Sequence, residues 1–109
     1  MESTSLTALA TLQLDRARAA PAGRAAATVP GTRATLRQTV LALLAGQELA
    51  EHDSPGDATL HVLRGRVRLA AGNERWEGAA GELAVIPPHR HSLAALEDSV
   101  VLLTVSRPE

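Results

Sequence analysis

All four histidines of this 109-residue chain fall in two short segments, and they are the side chains best suited to chemistry. The first segment, Gly46 to Gly65, carries His52 and His61; the second, Gly81 to Ala95, carries His89 and His91. Imidazole binds divalent metals, shuttles protons and makes hydrogen bonds, so each histidine is open to a ligand role or to a plain polar one. His89 and His91 lie two residues apart, which puts them on one side of an extended chain. His61 has the opposite parity to Leu60 and Val62. If those two face a core, His61 faces away, and it is not counted as a site residue. Glu48, Glu51, Asp53 and Asp57 flank His52, where they can supply an acid–base partner or simply face water. Other chemistries are closed. The chain has no Cys, and all 11 of its cationic side chains are Arg. Disulfides, thiolate zinc sites and cysteine nucleophiles are excluded, as is lysine Schiff-base catalysis.

The elements that must position these residues are mostly short strands. Residues 4–19 read as a helix capped by Thr4 or Ser5, with Leu6, Leu9, Ala10, Gln13 and Leu14 on its apolar face. Pro21 and Gly23 end it. It is too short to stand alone, so it docks on its own domain or on a second subunit. Candidate strands follow at 25–29, 36–44, 59–63, 66–70, 74–77, 83–86, 91–96 and 99–105, punctuated by Gly, Pro and Asn. That spacing predicts an all-β sandwich or barrel. The division is residues 1–24 as helical segment and linker, and 25–109 as a β-barrel domain. With one Trp and no Phe or Tyr, its core is aliphatic, and Trp76 is read as a packing anchor. Arg66 and Arg68 alternate with Val67 and Leu69. They form an outer strand face that either resists edge pairing or binds an anion.

Both histidine segments resemble the cupin superfamily over roughly residues 36–105. The first cupin motif runs Gly, five residues, His, any residue, His, three or four residues, Glu, six residues, Gly. The chain matches at Gly46, His52 and Gly65, and departs at Ser54 and Ala58, where the second His and the Glu belong. The second motif runs Gly, five residues, Pro, any residue, Gly, two residues, His, three residues, Asn. Here Gly81, Pro87 and His91 match, His89 replaces the Gly, the loop is one residue shorter, and the Asn position falls near Ala95. The resemblance implies a cupin-type jelly-roll β-barrel with a short N-terminal helix. It also implies a histidine-poor version of the family's metal site. Relatives with the full site hold a divalent metal on three His and one Glu. Here His52 and His91 are the retained ligands, and His89 is the candidate third for an iron, manganese, nickel or zinc ion.

The net charge of −1 gives no field for nucleic acid, and residues 4–19 carry only Arg16 and Arg18, so no basic recognition helix is visible. No apolar run reaches membrane-spanning length. No basic residue precedes the first apolar stretch, as a secretory signal would require. The expectation is a cytoplasmic protein, and the Ala- and Arg-rich composition suggests a GC-rich bacterial genome. The favoured function is binding of a small molecule in a barrel pocket formed by His52, Ser54 and His91, with or without a metal, in an accessory or sensor role. The alternatives are a metal-dependent dioxygenase, isomerase or lyase, and a purely structural protein. A domain this small is marginal alone, so a homodimer is expected.

Overall fold

The computed structural model describes residues 1–31, 35–53 and 56–107. Helix α1 (Leu6–Ala19) starts at Ser5, whose hydroxyl accepts the Ala8 backbone N–H at 3.1 Å. Nine strands follow among the described residues: β1 (Arg24–Thr28), β2 (Leu36–Leu43), β3 (Glu48–His52), β4 (Asp57–Arg64), β5 (Arg66–Ala71), β6 (Glu74–Ala79), β7 (Leu83–Val85), β8 (His91–Ala95) and β9 (Ser99–Ser106). They form a five-stranded sheet, β1-β2-β9-β4-β7, facing a four-stranded sheet, β3-β8-β5-β6. Every pairing is antiparallel. The expected all-β jelly roll with one N-terminal helix is the fold observed.

Side-chain alternation builds two cores on the larger sheet. Leu41, Leu43 and Val101 point inward with Leu60 and Val62, and meet Val67, Leu69, Leu93 and Ala95 of the smaller sheet. Val40, Ala42, Val100 and Leu102 point outward, where Ala10, Leu14 and Ala17 of α1 cover them. The C-terminal half of β2 and the N-terminal half of β9 are therefore buried on both faces, which is why Val40–Leu43 and Val100–Leu103 read as apolar runs. The helix docks on its own sheet, over the outer face rather than over an end of the barrel. Among the described residues no helix is long and apolar enough to cross a membrane.

Two features depart from the sequence reading. β3 was not anticipated, because Leu49 is its only inward aliphatic residue and it lies at the edge of the smaller sheet. Second, β5 is an interior strand of that sheet, so Arg66 and Arg68 guard no edge. They bracket Glu77 on neighbouring β6, at 3.6 and 3.1 Å. Arg64 donates instead to the Thr11 hydroxyl of α1. Gly65, between β4 and β5, has φ of 79°, and a Cβ there would run into the Asp98 carbonyl and Ser99. Only glycine suits that turn.

Candidate functional site

β8 presents His91, Leu93 and Ala95 to the interior, two residues apart as a strand requires. β3 presents Leu49 opposite Leu93 and His52 opposite His91. Leu49 and His52 are three residues apart, so plain alternation would send them to opposite faces. The register shifts between them, and this bulge returns His52 to the inner side. The two imidazoles meet edge to face, with ring centroids 4.4 Å apart and planes at 62°. His91 is buried at 4% exposure, while His52 is exposed, so the pair runs from the interior to the barrel mouth.

Backbone carbonyls fix both rings. His52 Nδ1 donates to the Ala50 carbonyl at 3.0 Å, and His91 Nδ1 donates to the His89 carbonyl at 3.1 Å. A carbonyl can only accept, so the proton sits on Nδ1 of each ring and Nε2 is left for another partner. The cavity beside the pair is small, about 30 Å³, and its other walls are aliphatic, among them Leu49, Leu60, Leu69, Ile86 and Leu93. It has room for roughly one water molecule. A larger ligand would have to reach the pair from the barrel mouth, where His52 is exposed.

His89 stands apart from this pair. It is exposed in a bend after Pro88. The parity that placed it beside His91 holds only for extended backbone, and β8 begins at His91. Ser54 lies outside the described residues. Ala58 faces inward at the position of the motif's Glu, and neighbouring Asp57 faces out. Among the described residues, no three His, Cys, Asp or Glu side chains gather closely enough to hold a metal ion. Two imidazoles against aliphatic walls do not fit a divalent metal shell, which needs further nitrogen or oxygen donors. The carboxylates near His52 have other work: Glu51 and Asp53 flank Arg90 at 3.6 and 3.7 Å, tying β3 to the residue before β8.

A second concavity escaped the sequence reading. It lies between β6 and β7, has a volume of about 400 Å³, and is lined in part by Trp76, Ala84, Val85 and Pro87. Trp76 does pack against the core, as expected of an anchor. It also walls this cleft, which depends on where the two sheets part and so has no signal in local sequence.

No protein-family model and no curated protein matches the chain. Solved structures do. A conserved protein of unknown function from Streptococcus pyogenes is 36% identical with a TM-score of 0.72, over 79% of this chain and 75% of its own. An RmlC-like cupin protein from Desulfovibrio desulfuricans is 25% identical with a TM-score of 0.77, over 100% of this chain, α1 included, and 99% of its own. A cupin superfamily protein from Desulfitobacterium hafniense shares the fold at 13% identity, with a TM-score of 0.72 over 78% of each chain. The sheet order, the glycine and proline framework around the histidines, and these likenesses agree: the chain has the cupin fold.

Proposed function

We propose that the protein is a small-molecule binding module of accessory or sensor type, which meets its ligand at the barrel end marked by His52 and His91. The observation that carries this reading is the imidazole pair itself. Each ring is held by a backbone carbonyl through Nδ1, leaving two oriented Nε2 atoms in aliphatic surroundings. Such a pair can hold a ligand's hydroxyl or amide by hydrogen bonds. The cavity takes about one water, so the ligand sets its polar end against the histidines from the mouth, where His52 is exposed. The chain is further read as cytoplasmic and as a homodimer, the latter supported by the exposed Leu83 on edge strand β7.

The competing reading is a metal-dependent enzyme using His52, His91 and a third ligand. Elemental analysis of untagged protein separates the two. Binding predicts no stoichiometric metal and an unchanged melting temperature on adding iron(II), manganese, nickel or zinc. Stoichiometric metal that disappears in both His52→Ala and His91→Ala would replace the binding reading with the enzyme. A fragment screen read by the imidazole NMR signals supplies the positive arm. Polar fragments should shift both rings together, and a screen that moves neither ring counts against the site.

A further inference from the structure

We propose that the cleft between β6 and β7 binds an apolar zwitterion of the amino-acid class: Arg75 takes its carboxylate, Glu74 its ammonium group, and Trp76 packs against its side chain. The site stands independently of the histidine pair. β6 and β7 are edge strands of different sheets, so the sandwich is open between them. The opening holds about 400 Å³, against about 30 Å³ beside the histidines. A volume of that order suits a small ligand.

The walls are apolar and fixed. Leu69 and Ala84 form the interior side, and Val85 and Pro87 the outer side. The Trp76 ring lies over Gly78, where a Cβ would overlap its six-membered ring, so packing sets the plane of the indole. Glu74 and Arg75, both exposed, also line the cleft. Arg75 Nη1 donates to the Gly72 and Glu74 carbonyls, both at 3.0 Å, which holds the guanidinium in place. Among the described residues no carboxylate lies within 4.0 Å of Arg75, and Glu74 has no ion-pair partner. Arg18, Arg66, Arg68 and Arg90 are paired; Arg16, Arg24, Arg37, Arg64 and Arg107 have no ion pair among the described residues, but none of them lines the cleft. A ligand with one charge gains from one of Glu74 and Arg75 and is opposed by the other. A zwitterion satisfies both.

Trp76 is the only Trp and there is no Tyr, so the intrinsic emission comes from the cleft wall alone. Titrations with L-phenylalanine, phenethylamine and 3-phenylpropionate, excited at the red edge of indole absorption, test the proposal. L-phenylalanine should give a saturable change and bind tightest, with each singly charged analogue about two- to fivefold weaker, the range for exposed ion pairs. Arg75→Gln should erase the preference over phenethylamine, and Glu74→Gln the preference over 3-phenylpropionate. Both side chains are exposed, so both variants should fold. Ala84→Leu should fill the cleft and abolish the response. Equal binding of the three probes, no saturable change, or a response unaffected by Arg75→Gln and Glu74→Gln would overturn the proposal. A response lost in His91→Ala but kept in those two variants would assign the ligand to the histidine pair, overturning the cleft while leaving the binding function standing.

Discussion

Gln13 is 1% exposed on the buried face of α1, and neither its Oε1 nor its Nε2 has a hydrogen-bond partner. An unpaired buried amide costs about 1–3 kcal/mol. Gln13→Leu should therefore raise stability by roughly 1–2 kcal/mol, seen as a higher urea midpoint at unchanged slope. Gly78 makes the opposite case. Gly78→Ala drives a Cβ into the Trp76 ring and should cost about 1–3 kcal/mol, the usual range for overpacking. A shifted Trp76 emission maximum would show that the ring had moved. Residue types and motif spacing pointed to His52 and His91, whose rings the fold brings together, and parity set His61 on the outer face. They misplaced His89, because parity needs a strand and that residue lies in a bend. Gln13 could be placed on the helix's apolar side, but its lack of a partner is a property of the packed structure.

Among the elements, those with strong apolar rhythm were legible. β2, β4, β5 and β9 carry enough Leu and Val to declare themselves. β3 did not, although it positions half of the imidazole pair. Its place depends on pairing with β8 and on a bulge, and neither has a local signature in ELAEH. The Arg90 clip to Glu51 and Asp53 is more than half exposed, so Arg90→Gln should change global stability by less than about 1 kcal/mol. It should nevertheless speed amide exchange in β3, because an edge strand opens locally at low cost. At the helix, Ser5→Ala removes the cap and should cost about 1 kcal/mol. Far-UV circular dichroism should then show helix signal melting ahead of the strands.

At the scale of the molecule, one sheet serves two cores, and α1 is the cover of the second. A chain shortened to begin near Ala20 would leave Val40, Ala42, Val100 and Leu102 in water. It should be markedly less soluble and bind hydrophobic dyes that the full chain ignores. The overall architecture was legible because glycine and proline punctuation and strand length agree with a single fold. The β6–β7 cleft was not, because it arises where two sheets fail to meet. If the protein is a dimer, scattering-coupled chromatography at micromolar concentration should report twice the chain mass; a monomer there would refute it. The last strand of the chain, β9, lies between β2 and β4 in the middle of the larger sheet. During synthesis those two strands must wait, each with an unsatisfied edge, until β9 has left the ribosome. Folding should therefore be slow, as long-range pairings are. Nascent chains arrested before Ser99 should stay protease-sensitive however much of the barrel they already encode.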